Sequence, residues 1–123
     1  MKYEELYKDF ISLFPEDKPF FDELCEQTSA EETDGMYIMF SFVLVPFLKR
    51  IVKESPEKTK RAFDFFEEME KSGDNDIAGL LEGTVLENIL TDETNDFDIY
   101  LPYLGKETKE AAHAVARWFD VPY

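Results

Sequence analysis

Cysteine and histidine are almost absent from this sequence, which has one of each among 123 residues. The single cysteine, Cys25, excludes an internal disulfide framework and a zinc site built from cysteines. Because it directly follows Leu24 in an apolar stretch, we expect Cys25 to be a small buried side chain rather than a nucleophile. The only histidine, His113, lies among alanines, and we interpret it as a partly exposed or core histidine. Metal motifs that need two histidines are therefore excluded.

Glycine and proline are also scarce, with five and six residues. A β-sandwich or barrel would need such turn residues about every 8–12 positions. The longest apolar run, residues 36–48, is shorter than the roughly 20 residues that span a bilayer, and it contains Pro46. No signal peptide precedes the charged N-terminal residues, so we expect a cytoplasmic protein.

Basic residues are also few. The sequence has 28 acidic and 13 basic residues, which give a net charge of −15. Nucleic acid and anionic membranes are therefore poor partners. Residues 64–98, which we call the acidic segment, contain twelve acids and one base, Lys71. No lysine, arginine or histidine occurs in residues 73–98, whereas residues 49–61 contain six cations and two acids.

Apolar residues, by contrast, are plentiful and recur at helical spacing. Hydrophobic residues make up 44% of the chain and aromatic residues 15%, which favours a single folded domain over residues 1–123. Spacings of three and four recur along nearly the whole chain. We therefore predict an all-α fold of five or six helices in antiparallel pairs. The helix at about residues 33–54 is apolar almost all round, which predicts a central position in the bundle.

Local signals place the ends and faces of the other helices. Ser55 should cap a helix whose first residue is Pro56, and Asp17, and then Asn75 or Asp76, should cap two others. Pro46 should kink the central helix. Two glycines four residues apart in the fifth helix would allow another helix to approach closely, and we assign them to tight packing: Gly79 and Gly83. The last helix, about residues 106–119, should turn six residues inward: Thr108, Ala111, Ala112, Val115, Trp118 and Phe119.

Motifs for catalysis are missing. No serine lies in a Gly-x-Ser-x-Gly elbow and no glycine pattern resembles a phosphate loop. Asp92, Thr94, Asp96 and Asp98 fit the alternating ligands of an EF-hand, but phenylalanine and tyrosine occupy the positions that need glycine and glutamate. Three acids of one helix alternate with apolar residues and indicate an outer, solvated face: Glu67, Glu68 and Glu70. We therefore predict no catalytic, cofactor or metal site, and a protein that is not an enzyme.

The concentration of one charge sign suggests a partner of the opposite sign, because complementary charge accelerates and selects association. A chain of this length, acidity and helical class resembles the immunity proteins of bacterial polymorphic-toxin and contact-dependent inhibition systems. The stretch "LPYLGKETKEAAHAVARWF" is also similar to small bacterial helical proteins with a Tyr-Leu-Gly-x-x-Thr lead into the last helix. The first resemblance implies an inhibitor that neutralises a basic partner such as a nuclease toxin.

The predicted partner-binding surface combines acids with aromatic anchors. Phe97 is a further candidate anchor, although core packing is an equal interpretation of it. The alternative function is a helical scaffold or regulatory module that binds through an apolar groove. The residues assigned to the partner surface are Glu67, Asp74, Asp76, Asp92, Glu93, Asp96, Asp98, Tyr100 and Tyr103.

Overall fold

A computed structural model describes residues 1–93 and 97–123, and within these ranges the chain is helical and contains no strand. The all-α prediction is confirmed. No helix in these ranges is long and apolar enough to cross a membrane. The α-helices are α1 (Leu6–Ser12), α2 (Lys18–Thr28), α3 (Met36–Met39), α4 (Val45–Glu54), α5 (Pro56–Lys71), α6 (Asn75–Leu81), α7 (Glu87–Thr91) and α8 (Lys106–Trp118). Short 3₁₀ helices occur at Tyr3–Glu5, Pro15–Asp17, Glu32–Asp34 and Phe97–Tyr103.

Two π-helical turns join four of these helices into two continuous rods. Phe40–Leu44 connects α3 to α4, and Glu82–Leu86 connects α6 to α7. Pro46 lies in the first turn of α4, directly after the first π turn. Because proline has no N–H for the carbonyl four residues earlier, the wider turn adapts the helix to it. The predicted central helix is thus present but begins at Met36, after Gly35 with a φ of +97°.

The helix caps agree with the sequence at one predicted position and differ at two. The Ser55 hydroxyl accepts a hydrogen bond from the Lys58 N–H, as predicted for the start of α5. The cap of α6 is Asp74, one residue before the predicted pair, and its side chain accepts the N–H groups of Asp76 and Ile77. Asp17 makes no side-chain cap, because its carboxylate instead lies 2.8 Å from Lys58 Nζ.

The core is built around aromatic rings on helices that are distant in sequence. The Phe47 ring of α4 packs against Phe10 at 6.2 Å and Phe21 at 4.5 Å between ring centroids, so it joins α4 to α1 and α2. The rings of Phe10 and Phe66 stack at 5.8 Å with an interplanar angle of 1° and connect α1 to α5. Helix α5 also contacts α4, α6 and α8, so its side chains pack between several helices.

The C-terminal end of α8 differs from the prediction. Thr108, Ala112 and Val115 are buried as expected, but Trp118 is 84% exposed and Phe119 is 41% exposed. The helix ends at Trp118, after which the chain folds back so that the N–H of residue 121 reaches the carbonyl of residue 116. The inward assignment of Trp118 and Phe119 was wrong because helical spacing cannot show where a helix extends beyond its neighbours.

Candidate functional site

The acidic segment includes the second half of α5, the turn after it, and the whole rod of α6 and α7. Two lysines that precede the acidic segment in the sequence form ion pairs with its carboxylates. Lys60 Nζ lies 2.8 Å from the Asp64 carboxylate, and Lys49 Nζ lies 2.6 Å from the Asp92 carboxylate. Most other cations of residues 49–61 pair with acids outside the segment, as Lys58 does with Asp17. The basic stretch of the sequence therefore neutralises only part of the acidic segment.

Two glycines, Gly79 and Gly83, form a shallow strip on the outer side of the α6–α7 rod, and carboxylates lie at its borders. A Cβ atom added at Gly79 or Gly83 would meet no atom within 4 Å, so no described part of the chain packs there. Asp76 and Glu87 share this side, because spacings of three and four keep residues on one helical face. Neither carboxylate forms an ion pair within the described ranges. Our assignment of the two glycines to internal packing was wrong.

Glu67 does not face a partner but caps another helix. Its carboxylate accepts hydrogen bonds from the Glu107 N–H at 3.0 Å, the Thr108 N–H at 2.8 Å and the Thr108 hydroxyl at 2.7 Å. Burial disfavours its charge, but these hydrogen bonds outweigh burial and lower the pKa of Glu67. The carboxylate also lies at the positive end of the α8 dipole. Its predicted role in partner binding is therefore replaced by an internal one.

Gly105 makes this tertiary cap possible. It occupies the N-cap position of α8 and has no side chain with which to bond the first turn. A Cβ atom there would lie 2.5 Å from Glu67 Cδ and 2.6 Å from Glu67 Oε1, in the space that the carboxylate fills. The Gly-x-x-Thr part of the sequence pattern thus has a structural explanation, since Gly105 provides space and Thr108 provides donors for one glutamate.

The carboxyl group of Glu70 lies beside the carboxyl group of Glu82 and is largely shielded from solvent. Burial is the main reason that its pKa rises to about 8, and a hydrogen bond with Glu82 and the charge of Glu82 add to the increase. Its Oε2 atom is buried and has no hydrogen-bond partner within the described ranges. Glu70 therefore largely retains its proton at neutral pH. The predicted outer face of α5 is therefore confirmed only at Glu68, which is exposed.

The aromatic residues proposed as anchors belong mostly to the core. Tyr100 is fully buried near Phe63, at 6.0 Å between ring centroids, and burial raises the pKa of its hydroxyl to about 12. Its assignment as a partner-binding anchor is therefore wrong in this conformation. Tyr103 is half-buried and stacks on the same phenylalanine at 6.2 Å. Phe97 is half-buried and contacts the ring of Tyr123 at 5.0 Å.

The remaining predicted residues have different environments. Asp74 is exposed but caps α6, and Asp92 is half-buried beside Lys49. Asp76, Glu93 and Asp98 are exposed. Asp96 lies outside the described residues. Asp76 and Glu93 lie near opposite ends of the rod, so the predicted residues form a long edge rather than one compact cluster.

No group of three or more histidine, cysteine or carboxylate side chains suited to a metal ion occurs within the described ranges. Two positions of the EF-hand-like pattern, Thr94 and Asp96, fall outside those ranges. His113 is half-buried and stacks on Tyr123, with 3.9 Å between ring centroids and an interplanar angle of 8°. This environment agrees with our interpretation of His113 as a partly exposed histidine.

A cleft between α1 and α2 was missed in the sequence. It has a volume of about 560 Å³, and its lining includes Tyr7, Cys25 and Met39 from three different helices. The thiol of Cys25 lies 3.9 Å from the Tyr7 hydroxyl and is half-buried rather than fully enclosed. No sequence signal pointed to the cleft, because its apolar lining residues, such as Tyr7 and Cys25, also fit ordinary helical core stripes.

Comparison with known proteins gives a family without an assigned activity. No curated protein matches the chain, and no solved structure matches it. The family model of DUF7674, a domain of unknown function, matches residues 7–118. This match includes every α-helix except the first residue of α1. The chain therefore belongs to the DUF7674 family.

Proposed function

We propose that this chain is a cytoplasmic, protein-binding inhibitor of the immunity type that neutralises a basic partner such as a nuclease toxin. The observation that carries the proposal is the outer side of the α6–α7 rod, where carboxylates without an ion pair in the described ranges border a glycine strip that no described residue covers. The docking surface consists of Asp76, Gly79, Gly83 and Glu87, with Glu93 at its end. It replaces the wider set of residues that the sequence suggested.

The glycines support a docking role because the fold itself does not require them. A glycine inside a helix destabilises it by about 0.5–1 kcal/mol relative to alanine. Gly79 and Gly83 have no positive φ, and no described atom of the chain needs the space above them. A partner backbone could approach the rod closely at this strip. The flanking carboxylates would attract cationic side chains to its borders.

The dimensions of the rod suit a single protein interface. Its seven, five and five residues give a length of about 25 Å at the usual helical rise. An interface of standard size covers about 800 Å² on each partner, which is a patch of similar diameter. The proposal takes the antiparallel bundle predicted from the sequence as the framework that presents this surface.

The test compares two variants with equal changes of charge. Asp76→Lys/Glu87→Lys reverses the proposed surface, and Asp9→Lys/Glu26→Lys reverses exposed acids on α1 and α2. Each purified chain is used to capture proteins from its source cells at about 50 and 300 mM salt, and captured proteins are identified by mass spectrometry. Binding of the purified partner is then measured by calorimetry, and its activity is measured with and without the chain.

We expect a basic partner whose affinity falls at least tenfold with the rod variant and less than threefold with the control variant. Its activity should be inhibited by the wild-type chain. Equal binding of both variants would exclude the rod as the docking surface.

The scaffold alternative is favoured by one observation, the exposure of Trp118 and Phe119 at the end of α8. A partner that is insensitive to salt and lost with Trp118→Ala would support that function instead.

A further inference from the structure

The cleft between α1 and α2 is separate from the proposed docking surface, and its walls are mostly apolar. Its volume of about 560 Å³ is within the usual range of roughly 300–1,000 Å³ for small-molecule sites. Ile11 comes from α1, Phe21 and Cys25 come from α2, and Met39 comes from the end of α3. Ser29, with a φ of +59°, ends α2 in a left-handed turn that directs the buried Ala30 to the same cleft.

The wall contains one buried polar group without a strong partner. Tyr7 is only 2% exposed, and its hydroxyl has a weak contact of 3.9 Å with the Cys25 sulfur. Sulfur is a poor acceptor, and a buried hydroxyl without a good acceptor is costly. Burial, followed by the proximity of Cys25, raises the pKa of Tyr7. The hydroxyl is therefore a permanent donor that a ligand oxygen could satisfy.

Both lysines at the mouth of the cleft are paired with carboxylates of the protein. Lys18 lies 2.7 Å from Asp22, and Lys8 lies 3.6 Å from Glu32. Glu31 is exposed, and its backbone N–H donates a hydrogen bond to the Asp34 carboxylate at 2.8 Å. A charged ligand would have to compete with these contacts, whereas a neutral ligand leaves them intact.

We propose that this cleft binds a small, uncharged and largely apolar molecule through one oxygen acceptor, which takes a hydrogen bond from the Tyr7 hydroxyl. The apolar part of the ligand packs against Ile11, Phe21 and Met39. A second cavity of about 250 Å³ adjoins the cleft beyond the Lys8–Glu32 pair. Because an exposed ion pair contributes little to stability, this pair can separate to admit a longer ligand.

The test uses Nile red, an uncharged aromatic dye with a carbonyl oxygen, and follows its fluorescence with the full chain. Cys25→Phe should fill the cleft and weaken binding at least tenfold, while the matched Cys25→Ala, which leaves the cleft open and offers Tyr7 no acceptor, should change it less than threefold. Tyr7→Phe should weaken binding about twofold to tenfold, as expected for the loss of one hydrogen bond. Circular dichroism confirms the fold of each variant. If Cys25→Phe does not fold, wild-type chain alkylated at Cys25 with N-ethylmaleimide replaces it.

Cys25 also provides an independent readout, because it is the only thiol in the chain. Saturating Nile red should slow its alkylation by N-ethylmaleimide at least fivefold. The proposal is overturned by three results: no saturable dye binding, undiminished binding to folded Cys25→Phe, or an unchanged alkylation rate. Loss of binding with Trp118→Ala in place of Cys25→Phe would also overturn it, since the dye would then occupy the exposed end of α8. None of these outcomes depends on the rod surface.

Discussion

Replacement of Gly105 by alanine should destabilise the protein through a residue on another helix. The new Cβ atom would lie 2.5 Å from Glu67 Cδ, which is far inside van der Waals contact. The backbone of Gly105, with φ of −73° and ψ of 173°, suits alanine as well as glycine. Strain in the main chain is therefore not the expected cause. The glutamate must move, and α8 then loses the cap on its first turn.

The size of the effect follows from the three hydrogen bonds to the Glu67 carboxylate. Loss of a helix cap costs about 0.5–2 kcal/mol, and hydrogen bonds to charged groups contribute about 1.5–3 kcal/mol. These ranges describe overlapping contacts, so we expect Glu67→Ala to cost about 2 kcal/mol and Gly105→Ala slightly more. For a domain of this size, 2 kcal/mol lowers Tm by about 8 °C.

A double-mutant cycle separates this explanation from a local effect at Gly105. Urea unfolding, followed by circular dichroism, gives the free energy of unfolding for the wild type, both single variants and the double variant. If Glu67 occupies the space of the missing Cβ, Gly105→Ala should cost only about 0.5 kcal/mol in the Glu67→Ala background. Additive losses of about 4 kcal/mol in the double variant would refute the proposed tertiary cap.

Three further changes test other parts of the structure. Glu70→Gln should stabilise the protein increasingly as pH rises from its ordinary pKa of 4.5 towards about 8, because over that window folded Glu70 retains a proton that the unfolded chain has released. Allowing for partial exposure, we expect a gain of about 1–2 kcal/mol at pH 8 and almost none at pH 4.5, measured by urea titrations across pH. Gly79→Ala should raise the free energy of unfolding by about 0.5–1 kcal/mol because its Cβ enters open space, and a loss of stability would show that the strip is covered. Phe47→Ala should cost about 3–5 kcal/mol because its ring joins α4 to α1 and α2, so a loss below about 1 kcal/mol in urea unfolding would contradict that packing.

Features that depend on a few neighbouring residues could be predicted from the sequence. Apolar spacing of three and four predicts the helices, and Ser55 followed by Pro56 predicts the start of α5, because the cap and its donor lie three residues apart. The choice among Asp74, Asn75 and Asp76 for the cap of α6 could not be made in this way. All three side chains can cap a helix, and the selection depends on how the chain turns after the end of α5, at Gly73, whose φ is +76°.

Features that depend on how helices pack against each other could not be predicted from the sequence. Glu67 and Thr108 are 41 residues apart, and helical spacing within α5 gives no information about a helix start that lies beside it. The cleft between α1 and α2 depends in the same way on the angle between two helices. A void lined by Ile11 and Phe21 has the same sequence pattern as a filled core.

Three glutamates near the C-terminal end of α5 show why a charge count overestimates a binding surface. Glu67 is held ionised by the start of α8, Glu70 is held protonated beside Glu82, and Glu68 is exposed. The sequence assigns the same unit charge to each, but only Glu68 can offer that charge freely to a partner at neutral pH. A cationic partner would therefore gain little from the buried part of α5. Its attraction must come from the rod, which is why reversal at Asp76 and Glu87 is the decisive change.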